Sequence, residues 1–274
     1  MTQPETHREE QPTMLYSKDG YVATLTIHRP ERMNTISRAM LEHLSELLLQ
    51  ADQDEDVRAI VLTGTGRFFC AGLDLEDALS GDGIGSQASQ SRVRPTIDLR
   101  NTPPTVLHNI DTPTICALNG GAAGYGFDLA MGCDLRIATE GVKLSAAFTK
   151  RGLVPESGGT WLLPRMLGWA KASELIFTGR TLTAEEALEW GLVNRIVPAD
   201  DLEAATRALA QEIADNAPLA VQASKRMMRT GLSEEFDDHV HHVYLQLLPL
   251  FQSEDLQEGM RAFLEKRKPE FRGR

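Results

Sequence analysis

The chain has 274 residues, a formal net charge of −11 and 42% hydrophobic residues, which suits one globular core domain with an appendage rather than two full domains. The acidic balance weighs against a nucleic-acid partner, whose phosphates need a basic surface, and no run approaches the roughly 18–20 apolar residues of a membrane span. Three cysteines, an odd number without ligand spacing, argue for a reducing compartment, with the cytoplasm expected, and against a structural metal site.

Residues 1–13 are polar and charged, so they read as a disordered tail and not as a signal peptide. Strand-like alternation covers 21–27. Helical spacing follows through Met40, Leu41, Leu44, Leu47 and Leu48, with Ser37 as N-cap. A β-branched run at 57–63 then leads into Arg67-Phe68-Phe69-Cys70-Ala71-Gly72-Leu73-Asp74-Leu75, which turns through glycine into a helix-permissive stretch. Residues 79–104 are rich in Gly, Ser and Gln and read as a long polar loop. A second strand, 113–118, turns at Asn119-Gly120 into a glycine-rich helix over 122–133, and 134–138 reads as the next strand. Strand, helix and strand in alternation predict an α/β fold with parallel pairing. From 182 onward the pattern is almost entirely helical, with Pro198 and Pro218 as breaks.

The two glycine turns carry the chemistry. A chain that leaves a strand, turns and starts a helix leaves backbone N–H groups without partners. Two such clusters facing one point make an oxyanion hole, which stabilises charge developing on a carbonyl oxygen. Asp128 follows Tyr125 by three residues, close to one helical turn, so both can face one site. It can serve proton transfer or simply complement the helix dipole. Glu156 reads by itself as an N-terminal charge or cap of a helix from Ser157. Cys70 lacks a local histidine and reads as a buried thiol. His28 reads as structural. His239, His241 and His242 fall on different helix faces without carboxylate support, so no metal site is expected. Gly64-Thr65-Gly66 is half a dinucleotide fingerprint and no more. The acidic runs 53–56 and 233–238 read as solvated helix ends.

The two turns resemble the signature halves of the crotonase superfamily, the enoyl-CoA hydratases and isomerases. The likeness runs from about Tyr21 to Phe271. It includes His28-Arg29-Pro30-Glu31-Arg32-Met33-Asn34, Gly152-Leu153-Val154-Pro155-Glu156-Ser157-Gly158-Gly159-Thr160, Ala187-Leu188-Glu189-Trp190-Gly191-Leu192-Val193 and a closing Glu258–Pro269 segment. The resemblance implies a spiral of ββα turns over 14–198 holding an acyl-CoA site. It also implies a helical C-terminal region, 199–274, used in assembly of a homotrimer or a dimer of trimers. Residues 79–104 would then be a lid over the acyl pocket, or disordered.

By resemblance the oxyanion donors are the backbone N–H groups of Leu73 and Tyr125. The family often has glycine at the second position, and here the Tyr125 ring must be housed, narrowing the pocket if it faces inward. Asp128 matches the first hydratase glutamate, one methylene shorter. The second would fall at Phe148, which cannot activate water. Glu156 instead matches the catalytic carboxylate of 3,2-enoyl-CoA isomerases. Glu156 with Asp128 therefore points toward double-bond isomerisation, with hydration by a displaced acid/base pair as the alternative, and a non-catalytic acyl-CoA-binding scaffold as a rival of another class. A hydrolase or decarboxylase on the same scaffold is a further option. The substrate-lining positions implied are Arg32, Met33, Ala71, Gly72, Leu73, Asp74, Leu75, Gly124, Tyr125, Phe148 and Pro155. Phe263 and Lys266 on the last helix would meet the nucleotide, often from a neighbouring subunit. The CoA thioester is the substrate, so no cofactor is expected.

Overall fold

A computed structural model of the chain describes residues 12–79 and 100–274. The expected tail, apart from its last two residues, and the central part of the expected lid lie outside the described residues. Two sheets organise the molecule. The first has the order β1 (Met14–Asp19), β2 (Val22–Ile27), β3 (Ala59–Gly64), β5 (Thr114–Leu118), β7 (Leu135–Thr139), β10 (Arg195–Val197). The second runs β4 (Phe68–Cys70), β6 (Gly121–Ala123), β8 (Lys143–Ser145), β9 (Thr181–Thr183). Each of the pairs β3–β4, β5–β6 and β7–β8 gives one strand to each sheet and is followed by helix. That is the expected spiral of ββα turns. From β2 to β10 the first sheet is parallel, and β1 closes one edge antiparallel to β2.

Strand β3 shows why the central strands read as unbroken apolar runs. Ile60 and Leu62 enter the main core with Leu44 and Leu48 of α1 (Arg38–Gln53), while Ala59 and Val61 enter a second cluster on the opposite face. A parallel sheet covered on both sides has no polar face to alternate with. The second face is covered by α8 (Leu202–Ala214), through Leu202 and Ala210. The first helix of the C-terminal region is therefore a layer of the core. The Ser37 hydroxyl accepts from Met40 N and caps α1 as its spacing predicts.

Several local expectations are corrected. β1 lies outside the predicted strand because, of its six residues, Met14 alone is buried, leaving no period-2 signal. Its Lys18 and Asp19 place charge on a sheet edge, which discourages pairing with another chain. The helix expected over 122–133 begins at Tyr125, because 121–123 pair as β6 and Gly124 turns the chain at φ 52. This helix is α4 (Tyr125–Gly132). The helix expected from Ser157 is α5 (Gly159–Leu167), and it follows Gly158 at φ 102. Pro218 does separate two helices, α8 from α9 (Pro218–Thr230), and it does so as the first residue of the second, since the first helical position needs no N–H. β9 and β10 are the short strands of the end expected to be almost entirely helical; three residues are too few to show a period.

Candidate active site

The β3–β4 corner is built by two asparagines. Asn34, fully buried at φ 55, accepts from Arg29 N at 2.9 Å and donates to Thr65 O and Phe68 O at 2.9 and 2.7 Å. Asn119 accepts from Gly64 N and donates to Gly66 O and Phe68 O. His28 Nδ1 lies 3.0 Å from Thr65 Oγ1 in the same corner, a structural contact. Replacing Asn34 by Ala deletes three buried hydrogen bonds and leaves an alanine in a left-handed conformation. The expected loss is about 3–5 kcal/mol of folding stability, read by urea denaturation.

Beyond this corner the chain enters the first donor loop. Ala71 N donates to Met33 O, Ile36 N to Gly72 O and Asp74 N to Ile36 O, at 2.9–3.1 Å. Between these bonds the Leu73 N–H has no acceptor among the described residues. Asp74 is buried, and its carboxylate accepts from Arg29 (2.7 Å), Arg32 (3.2 Å) and Glu76 N (3.1 Å). Burial opposes its charge, but the two guanidinia outweigh that and hold it below the usual carboxylate range. The Asp74 side chain thus braces the loop, and Arg32 is shared between Asp74 and Glu76. Met33 and Leu75 are exposed beside it, and α2 (Leu75–Leu79) follows.

The second donor loop lies directly against the first. A Cβ placed on Gly72 would stand 3.1 Å from Ala123 O and 3.9 Å from Tyr125 N, and one on Gly126 would stand 2.2 Å from Cys70 O. Gly124 N donates to Ser145 O. Tyr125 opens α4, so its N–H has no intrahelical acceptor. The Tyr125 ring is buried at the edge of the main core. Burial pushes its phenol upward, as do Cys70, Glu156 and Asp128 nearby. Cys70 is a buried thiol pushed up to about 12 by desolvation, which removes it as a nucleophile.

Asp128 is 1% exposed. Its Oδ2 accepts from Gly159 N at 3.2 Å, and a Cβ on Gly159 would stand 2.4 Å from Oδ1, so residue 159 has to be glycine. Burial pushes Asp128 up to about 7; the Gly159 N–H opposes this and the charge of Glu156 adds to it. Glu156 faces solvent on one side, yet enough protein surrounds it that desolvation raises its pKa above the ordinary value. The structure thus brings Tyr125, Asp128 and Glu156 into one group, from α4 and from the turn before α5.

A carboxyl raised from about 3.9 when unfolded to about 7 when folded favours the proton-bound native state. Its cost is absent at low pH, grows as pH rises between these values and is constant above them. Asp128→Asn is therefore expected to stabilise the protein, by roughly 2–3 kcal/mol more at pH 8 than at pH 5, as calorimetry at both pH values would show.

Other expected positions fall elsewhere. Phe148 is 4% exposed and packed in the main core, so its ring is part of the interior packing. Pro155 is buried beneath exposed Leu153 and Val154. Phe263, 83% exposed, lies on α11 (Glu254–Glu265), and Lys266 caps that helix in a left-handed conformation. The histidine expectation is corrected too: His239 and His242 Nδ1 lie 3.1 and 2.7 Å from the Glu234 carboxylate. Among the described residues no group of three or more His, Cys, Asp or Glu is placed to hold a metal, and no helix is long and apolar enough to cross a membrane. Ser157 and Gly159, both against Asp128, went unremarked as site residues. A Gly-Gly pair ahead of an apolar helix was their one signal.

The enoyl-CoA hydratase/isomerase family model matches residues 17–274. The chain belongs to that family. A 1,2-epoxyphenylacetyl-CoA isomerase of Escherichia coli is 38% identical over 92% of this chain and 95% of its own length. A carnitinyl-CoA dehydratase of Proteus mirabilis is 37% identical over 93% and 96%. Among solved structures, an enoyl-CoA hydratase of Bacillus anthracis superposes with a TM-score of 0.85 at 32% identity, covering 96% of this chain and all of that one. Membership in the enoyl-CoA hydratase/isomerase family fits the donor-loop geometry, but its relatives include both isomerases and dehydratases.

Proposed function

We propose that this protein isomerises the double bond of an enoyl-CoA thioester. The Leu73 and Tyr125 amides hold the thioester oxygen as it becomes an enolate. Glu156 takes a proton from one carbon of the acyl chain and returns it to another. Asp128, close to half-protonated at neutral pH, sits beside it as a neutral partner that spares Glu156 a second negative charge. The observation that carries this reading is the pairing of Glu156 with buried Asp128 where a core ring, Phe148, occupies the other carboxylate position.

The backbone at Arg32, Met33, Ala71, Gly72, Leu75, Gly124 and Pro155 lines the thioester in this reading. Phe263 and Lys266 meet the nucleotide from a neighbouring copy in a trimer or a dimer of trimers. The exposed Met260, Phe263 and Leu264 of α11 and Tyr244 and Leu248 of α10 (Phe236–Leu250) support such an assembly, since apolar patches of this kind mark contact surfaces. The thioester needs no further cofactor, and three buried free thiols suit the cytoplasm.

The raised pKa of Asp128 also favours a second reading, in which the two carboxyls hold a water and hydrate a 2-enoyl-CoA. A panel of 2-enoyl and 3-enoyl CoA thioesters in D₂O separates the two. Isomerisation is expected to exchange one carbon-bound hydrogen without forming a hydroxyacyl product. Hydroxyacyl product with no isomer would reject the first reading, and binding without turnover would indicate a scaffold.

A further inference from the structure

The turn between Pro155 and Gly159 carries a polar group that no step above uses. Ser157 is 4% exposed, and its hydroxyl has no hydrogen-bond partner; nor has Asp128 Oδ1. The other unpartnered buried side-chain atoms among the described residues, on Arg58, Thr112 and Thr206, belong to other parts of the fold. Here two orphans belong to one cluster. The Ser157 main-chain N–H faces the Asp128 carboxyl, and its hydroxyl, though outside hydrogen-bonding geometry, lies near enough to Glu156 to ease that group's charged form.

A buried hydroxyl without a partner is unfavourable, and a serine can turn among staggered rotamers to relieve it. Both possible acceptors are carboxyls, and one of them alternates between charged and neutral during the reaction. We propose that Ser157 is a positioning residue for proton transfer: its hydroxyl donates to the Glu156 carboxylate while that group is the base, and turns to Asp128 Oδ1 once Glu156 has taken the proton. This rests on Glu156 being the base. In that step a substrate C–H bond breaks, an O–H bond forms on Glu156, and the electron pair passes to the thioester as enolate. The return step reverses all three, so no other reactant is needed.

The groups that face the turn are few. Asp128 and Tyr125 come from α4, and Cys70, at the end of β4, acts on Tyr125. Across α5, His108 packs edge-on against Trp161 and is held below its ordinary value by burial, then by Arg229 and Lys225. Loss of the Ser157 donor therefore acts on Glu156 and Asp128.

The test is the pH profile of a 3-enoyl-CoA thioester reaction for wild type, Ser157→Ala, Ser157→Thr and Glu156→Gln. Removing a donor from the charged form raises the pKa of Glu156. The acid limb of kcat/KM in the Ala variant is thus expected to move up by about one unit, a roughly tenfold loss on that limb, with KM within twofold and the Thr variant close to wild type. A purely structural role would lower Tm and scale rates evenly across pH. An unmoved limb with Glu156→Gln inactive would overturn the Ser157 assignment alone. Full turnover in Glu156→Gln would remove the base and this inference with it. If the Ala variant does not fold, Ser157→Cys, similar in size and a weak donor, is expected to show the same limb shift.

Discussion

Glu156→Gln is expected to lower kcat by about 10²–10⁴, the usual contribution of a positioned general base, while leaving the fold and KM nearly unchanged. Glutamine keeps the shape of the side chain at an exposed turn, so no packing is lost. It cannot take a proton at any working pH. The same substitution removes a negative charge that helps raise Asp128, so the Asp128 titration should move downward, a shift that carboxyl-carbon NMR would follow. Glu156→Asp, which keeps the base but shortens its reach, should recover part of the rate. Retention of more than a tenth of wild-type kcat by the Gln variant would remove Glu156 from the mechanism.

Gly126→Ala is expected to damage stability and catalysis together. Within a helix the change would ordinarily be favourable, by up to about 1 kcal/mol in the interior and less at the second position that Gly126 holds in α4. Here the new methyl would stand 2.2 Å from Cys70 O and 2.6 Å from Cys70 Cβ. The oxygen belongs to the backbone, so relief requires β4 and α4 to separate. Overpacking of that kind costs about 1–3 kcal/mol or more. Separation also spreads the loops that carry the Leu73 and Tyr125 amides, and a misplacement of about 1 Å can cost about 10² in rate. Gly141→Ala is the control: its φ is 76 and nothing lies within 4 Å of the new carbon. It should lose about 1–2 kcal/mol and keep full kcat. If both variants lose stability alone, contact between the loops is not what sets the rate.

Some parts of the protein were legible residue by residue. Helix α1 was readable from one apolar face and a serine cap, and β2 and β3 from alternation and β-branched runs. The glycine turns were readable because a chain that reverses between strand and helix at close quarters needs residues without a Cβ. Elements of three residues, β6, β9 and β10, carry no period. β1 shows most of its residues to water, so it carries no apolar alternation. Phe148 shows the limit differently: its identity excluded a carboxylate, but only the packed core revealed its ring as filled space.

Local order alone therefore determined the alternating α/β pattern, the two amide-bearing turns and Asp128 as a candidate acid, while Glu156 stood out through the family resemblance. The folded chain decided that Cys70 meets Gly126, that Gly159 lies against Asp128 across 31 residues of sequence, and that Ser157 is buried with its hydroxyl unpartnered. The reason is physical: hydrogen-bond period and backbone freedom act between neighbours in sequence, whereas desolvation and close contact depend on which distant segments the sheets bring together.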